Sequence, residues 1–229
     1  MEMMPYQPTR EDGARPEPGL TPPSIFGPRA TSLVVSRAWQ AGLPVLEGRQ
    51  LALRELHPDD APSLCALLTT EEVARFISPP PTTVEGFVRF IAWAQRERAQ
   101  GRYACFAVVP LGGTTAVGLF QIRLLDTIAH TAEWGFALGQ PYWGTGLFLD
   151  GARLVVRFAF ETLGLCRLEA RACLANGRGT GALRKIGAVR ELILRNSFER
   201  AGQFLDQGLW TILREDWQRI TGFPSRTIH

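Results

Sequence analysis

A glycine-punctuated turn runs straight into a long amphipathic segment, and that junction constrains this chain more than any other stretch. Residues 140–148 read Gln140-Pro141-Tyr142-Trp143-Gly144-Thr145-Gly146-Leu147-Phe148, and the apolar periodicity that follows predicts a helix from about Thr145 to Leu163. Its spacing puts Leu147, Gly151, Leu154, Val155, Phe158 and Thr162 on one side. A helix N-terminus presents backbone N–H groups without intrahelical partners, and glycines let an anion approach them closely. A pyrophosphate fits that description. The same residues would also serve a plain strand-to-helix turn, in which glycine only supplies permissive dihedrals. Two familiar phosphate loops do not match. The dinucleotide fingerprint Gly-x-Gly-x-x-Gly needs a glycine where Leu149 stands, and the P-loop needs Gly-Lys-Ser/Thr, which the turn lacks.

The rest of the chain supplies a sheet for that helix to pack on. Leu51 to Leu56 alternates apolar and polar residues as a half-buried strand does, and Asp59 or Asp60 caps a helix running to about Leu68. Glu71 to Ile77 reads as a second short helix, and Pro79-Pro80-Pro81 breaks the chain. Thr83 caps a helix with Val84, Phe87, Val88, Ile91 and Ala94 on one face; Phe90 and Trp93 fall off that stripe, as wide-face core residues or as part of a substrate groove. Tyr103 to Val109 is continuously apolar, the mark of a strand covered on both faces. Ala116 to Leu124, Thr131 to Leu138, Arg167 to Cys173, Val189 to Arg195 and Leu205 to Leu213 read as further strands, with a short helix over Gly179 to Ile186. This mixture implies an α/β or α+β sandwich rather than a helical bundle.

The 229 residues suit one domain plus a tail. Residues 1–30 are rich in Pro, Gly and charge and predict a disordered tail; residues 31–219 are expected to form the domain, with Trp39 docking the lead-in, and 220–229 a C-terminal tail. The longest nearly unbroken apolar run, Tyr103 to Leu111, is too short to cross a bilayer, and the N-terminus carries no apolar leader segment, so a cytoplasmic protein with no membrane partner is expected. A net charge of +3 gives no case for nucleic acid. Cys65, Cys105, Cys166 and Cys173 form no Cys-x-x-Cys pair and fall in predicted elements, as buried free thiols do; the scattered His57, His130 and His229 suggest no metal site.

The order of elements, with the glycine turn after the fourth strand, resembles the GNAT superfamily of acetyl-CoA-dependent N-acetyltransferases. The branch it is most similar to includes the ribosomal-protein N-terminal alanine acetyltransferases. The resemblance spans roughly Leu51 to Trp217. It is carried by Leu53-Arg54-Glu55-Leu56 with Asp59-Asp60-Ala61, by Pro141-Tyr142-Trp143-Gly144 and Gly146, and by Phe158-Ala159-Phe160-Glu161 through Arg167-Leu168-Glu169-Ala170. Asn176 with Leu183-Arg184-Lys185-Ile186-Gly187-Ala188, and Gly202-Gln203-Phe204 with Asp206 through Trp210 to Leu213, complete it. Two positions depart from the family pattern. The loop usually reads Arg/Gln-x-x-Gly-x-Gly/Ala, which puts Trp143 at the Arg/Gln position and Phe148 at the last small one; Gly179 replaces the serine of Asn-x-x-Ser.

The resemblance implies a mixed, mostly antiparallel sheet of about seven strands flanked by helices on both faces. It implies acetyl-CoA as co-substrate and transfer of its acetyl group to a primary amine by direct attack. The acceptor is a protein N-terminus or a small-molecule amine, and the chain a monomer or homodimer; the alternative is a module that binds CoA without turnover. In such a fold the fourth strand splays from the fifth. The backbones of Phe136, Ala137 and Leu138 would grip the pantetheine arm, and Trp143, Gly144, Thr145, Gly146, Leu147 and Phe148 would take the pyrophosphate. Asn176 would bond the pantetheine or a water, and Arg178 would reach a CoA phosphate. Glu133, flanked by Ala132 and Trp134, is the first candidate for general base and Glu169 on the next strand the second; a structural, hydrogen-bonded strand carboxylate is the alternative for each.

Overall fold

A computed structural model of the chain describes residues 37–126 and 130–222; the stretch 1–36, which holds the expected tail, lies outside them. Eight strands make one sheet in the order β1-β2-β3-β4-β5-β6-β8-β7. They are β1 (Leu46–Glu47), β2 (Leu51–Glu55), β3 (Tyr103–Pro110), β4 (Gly118–Asp126), β5 (Thr131–Leu138), β6 (Arg167–Cys173), β7 (Val189–Arg200) and β8 (Gln203–Leu213). The helices are α1 (Ala61–Leu68), α2 (Glu71–Ala74), α3 (Val84–Ala99), α4 (Leu147–Glu161), α5 (Gly177–Lys185) and α6 (Arg214–Thr221). Every neighbouring pair is antiparallel except β5 and β6, which run parallel. The strand beyond the expected seven is the two-residue β1.

Side-chain alternation in the strands shows why helices cover both faces. On β3, Phe106 meets Phe158 of α4 edge-to-face, with ring centroids 5.1 Å apart, while Tyr103, three residues earlier and therefore on the opposite face, meets Trp93 of α3 at 4.9 Å. A strand buried on both sides must be apolar throughout, and seven of the eight residues of β3 are buried. Phe90 is buried in the core and stacks on the half-buried Trp93, which packs against it. The stripe expected on α3 is rotated accordingly: Phe87, Phe90, Ile91 and Ala94 are buried, whereas Val84 and Val88 are exposed. Two large aromatic side chains bury more apolar area than two valines, and the helix turns to satisfy them.

Thr83 caps α3 by accepting from the amide of Gly86, as expected. Asp60 does something other than cap α1. Its carboxylate reaches back to the amide of His57 at 2.8 Å and forms two bonds of 2.7 Å to the Arg54 guanidinium, so it ties the end of β2 to the turn before α1. Residues 37–41 dock as expected through the buried Trp39; Arg98 at the end of α3 holds them by donating to the carbonyl of Gln40 and to Glu55. At the C-terminal end, α6 continues through Thr221 and so enters the stretch expected to be tail; Trp217 is its one buried side chain. The four cysteines are free, but Cys166 is exposed in the turn before β6 and Cys65 is half-buried, so only Cys105 and Cys173 are core thiols.

Phe158 joins α4 to the sheet. Phe158→Ala should lower unfolding free energy by about 3–5 kcal/mol, the usual cost of emptying a buried aromatic site. Urea denaturation checks it; a loss below about 1 kcal/mol would show that the helix–sheet contact carries little of the stability.

Candidate active site

The parallel pair β5–β6 is short. Register partners run Thr131 with Arg167, Ala132 with Leu168 and Glu133 with Glu169, and stop there. Beyond that point β5 stays paired with β4 through Leu138, and β6 stays paired with β8 through Cys173. The two halves of the sheet therefore diverge, and a cleft of about 800 Å³ opens where they part. Its walls include Phe136, Ala137 and Leu138 of β5, the turn with Trp143, Gly144, Gly146 and Phe148, and Asn176, Gly177 and Arg178 at the start of α5. Residues of α2 and the segment after it, Glu72, Val73, Arg75, Phe76 and Ile77, also line the cleft.

The turn is built for backbone approach. Gly144 (φ 75°) and Gly146 (φ 94°) both adopt left-handed conformations that cost a side-chain-bearing residue about 1–2 kcal/mol. A Cβ on Gly144 would meet nothing within 4 Å, so its open side faces space. Gly146 is the N-cap of α4 and offers no side chain to its amides, and the first helical bond runs from Asp150 N to Gly146 O. The amides of Leu147, Phe148 and Leu149 have no carbonyl a turn earlier to bond, which leaves them for an incoming acceptor. Asp150 is the one acid in this first turn, and its carboxylate is bonded to the amide of Gln50 at 2.8 Å. Thr145 is exposed and its hydroxyl closes the turn on the carbonyl of Tyr142 at 2.8 Å.

Aromatic side chains fix the walls. Trp143 donates its indole N–H to the carbonyl of Leu138 at 2.8 Å, which ties the turn to the end of β5. The Arg178 guanidinium lies over the same indole, 4.1 Å from the ring centroid, so one cation is held at the cleft mouth. Phe148, whose ring had to clear the amide row, packs on Phe136 at 4.3 Å and on Phe120 at 6.1 Å, against the sheet.

Asn176 and Gly179 are coupled. The Asn176 Oδ1 caps α5 by accepting from the Gly179 amide at 2.8 Å, so only its Nδ2 is left to face a guest. A Cβ on Gly179 would lie 2.6 Å from that Nδ2. Glycine at this position is therefore what lets the cap close so tightly, and the chain has no hydroxyl there.

The two strand carboxylates sit side by side at the apex where β5 and β6 part. Glu133 is buried, and Arg123 on β4 holds its Oε2 at 2.5 Å. Glu169 is half-buried and held by Arg167 at 2.7 Å; Arg167 also clasps Glu191, which sets the Glu191 carboxyl below its ordinary range. Neither Glu133 nor Glu169 is among the residues lining the cleft. The α2 wall and Lys185 at the end of α5 do line it, and the sequence alone pointed to neither. A four-residue helix has no periodicity to read, and a lone lysine at a helix end is indistinguishable from a solvated one.

Residues 50–189 match the family described as acetyltransferase (GNAT) domain. The chain belongs to that family. It is 23% identical over 176 residues to the uncharacterized N-acetyltransferase p20 of Bacillus licheniformis, covering 76% of this chain and 99% of that protein. In fold it is similar to Mycobacterium smegmatis RimJ, solved in complex with CoA-disulfide, with a TM-score of 0.69 and 19% identity over 78% of this chain and 93% of that one. The ribosomal-protein-S5-alanine acetyltransferase of Vibrio fischeri superposes with a TM-score of 0.66 at 17% identity, over 76% and 98% of the two chains. The GNAT reaction is acyl transfer from acetyl-CoA to an amine, and this chain is an acetyl-CoA-dependent acyltransferase of that family. No helix among the described residues is long and apolar enough to cross a membrane.

The Asn176 cap predicts the effect of restoring a side chain next to it. Gly179→Ser should force Asn176 off the α5 amide and destabilise the protein by about 1 kcal/mol, the typical worth of an N-cap. Thermal unfolding of this variant beside Asn176→Ala checks it: equal losses are expected, and an unperturbed Gly179→Ser would refute the coupling.

Proposed function

We propose that this chain moves the acetyl group of acetyl-CoA to a primary amine at the cleft between β5 and β6. The observation that carries this reading is the alignment of three features along one cleft: two left-handed glycines, a helix start with unbonded amides, and a strand edge that parts from its neighbour. In this reading the amides of Leu147 and Phe148, approached across Gly144, Thr145 and Gly146, hold the pyrophosphate, where the helix dipole adds to the hydrogen bonds. Arg178, laid on Trp143, meets a phosphate at the mouth. The edge of β5 over Phe136, Ala137 and Leu138 lines the pantetheine arm, and Asn176, which lines the same cleft, keeps its Nδ2 for it.

The bound thioester supplies an activated acyl group on a good leaving group. The protein's part is to align the amine with it and to remove the amine's proton. We assign that proton first to Glu133, at the apex, and second to Glu169 beside it. Because neither lines the cleft wall, the proton travels through water to reach them. The Arg123 partner balances the Glu133 carboxylate as it sits out of solvent. The acceptor is a protein N-terminal amine or a small-molecule amine, and a cytoplasmic location suits either. Phe148 gives no ground for a binding module without turnover, since its ring packs on the sheet.

Two variants test the assignment separately. Gly146→Glu places bulk and negative charge at the amide row in a left-handed position; CoA affinity measured by calorimetry should fall by about a hundredfold or more, in line with losing the anion site. Retained affinity would refute the loop assignment. Glu133→Gln should lower kcat at neutral pH by about 10²-fold, a usual contribution of proton transfer, with acetyl-CoA affinity unchanged. An unaltered kcat would make Glu133 structural.

A further inference from the structure

The charges lining the cleft are not evenly matched. Arg178 and Lys185 stand on the α5 side, beside the glycine turn, and suit the phosphates of CoA. Glu72 and Arg75, at α2, are the remaining charged side chains among the described residues of the lining. They lie three residues apart, Glu72 within the single turn of α2 and Arg75 at its C-cap in helical conformation, so their side chains emerge as neighbours. Both are exposed, and among the described residues neither has an ion-pair partner. Among the described residues, Glu72 is the only carboxylate of the lining.

The turn that carries them is anchored from below. Val73, Ala74 and Ile77 are buried, which fixes α2 on the core and leaves Glu72 and Arg75 on its open side. The Arg75 guanidinium lies over the Phe76 ring, 5.1 Å from the centroid, so it rests on the cleft wall instead of trailing into solvent. Phe76 itself is half-buried and, with Val73 and Ile77, gives the wall an apolar floor.

A wall that offers one anion and one cation at neighbouring positions above an apolar floor is complementary to a guest with the reverse pair. We infer that the acceptor is a primary amine that carries a carboxylate within a few bonds of its nitrogen. Arg75 holds the carboxylate, and Glu72 attracts the ammonium as it enters, before the amine gives up its proton toward the apex carboxylates and attacks the thioester. This rests on the acetyl-transfer reading of the same cleft and narrows its acceptor. Polycationic amines are disfavoured, because Arg178 and Lys185 are matched by the CoA phosphates and Glu72 is accompanied by Arg75, so the α2 residues offer an acceptor no net negative charge. Glu72 and Arg75 are positioning residues: they select and orient the amine, and the acyl transfer itself takes place at the apex of the cleft. The same chemistry comes from a free amino acid or from a peptide whose N-terminal residue is acidic.

Thiol release from acetyl-CoA by the full chain distinguishes these cases. The amine panel is leucine and leucinamide, then Asp-Leu-amide and Asn-Leu-amide, then spermidine; each of the first two pairs differs only in a carboxylate. We expect at least one acid member to exceed its amide by tenfold or more in kcat/KM, and spermidine to be poor. A preference for leucine marks a free amino acid as the acceptor; a preference for Asp-Leu-amide marks a peptide N-terminus. In Arg75→Gln that preference should collapse through KM, with kcat at saturating amine unchanged, and Arg75→Lys should restore part of it. Equal rates for acid and amide, spermidine as the best acceptor, a preference untouched by Arg75→Gln, or no release with any of the five would each overturn the inference. CoA affinity of the same preparation is measured alongside. Intact binding with no release leaves the CoA site standing and removes only the acceptor class, whereas absent binding removes the acetyl-transfer reading beneath it.

Discussion

Three register pairs hold the two halves of this sheet together, and their small number governs everything built around them. Between Thr131 and Glu133, β5 pairs with β6; past Glu133 each strand keeps its outer neighbour and loses its inner one. A fully zipped sheet would satisfy more backbone groups internally and would leave no opening at the end of β5. The cleft is thus the direct consequence of stopping the parallel ladder early. The cost in hydrogen bonds is limited by Trp143, whose indole takes up the Leu138 carbonyl at the cleft edge.

The turn after β5 works because of where it is. Gly144 and Gly146 are left-handed and α4 begins at once, so the helix start faces the opening left by the parted strands. Phe148 and Phe136 brace that helix against the strand it follows, and Phe158 braces its far end against β3. Packing on one side of α4 therefore positions unbonded amides on the other. Electrostatics then divides the lining, with cations on α5 and a mixed pair at α2.

Much of this was legible in the residues. β5 and β6 begin and end at the expected positions, because a mostly apolar run, as in β5, and a charged/apolar alternation, as in β6, each have few alternative readings when bounded by turn residues. The glycine turn announced the helix start. Four features were hidden for physical reasons. α6 begins Arg214-Glu215-Asp216 and buries only Trp217, so it has no apolar stripe to find; its acidic first turn and the Gly222 end cap were the only signals. The face of α3 was misjudged because spacing alone does not say that Phe90 outweighs Val84 and Val88. Asn176 was expected to bond the pantetheine or a water, and its oxygen also accepts from Gly179 as the α5 cap, a role that only the structure reveals. The α2 wall depended on tertiary contacts throughout.

The claim at the centre of this account is that the first amides of α4 clasp a diphosphate. Titrating CoA into ¹⁵N-labelled protein tests it most directly, because each backbone amide reports separately. The account predicts that the amide resonances of Gly146, Leu147, Phe148 and Leu149 move together with a single affinity, and that 4′-phosphopantetheine, which lacks the diphosphate, moves them far less. Shifts confined to other parts of the chain, or none at all, would contradict it.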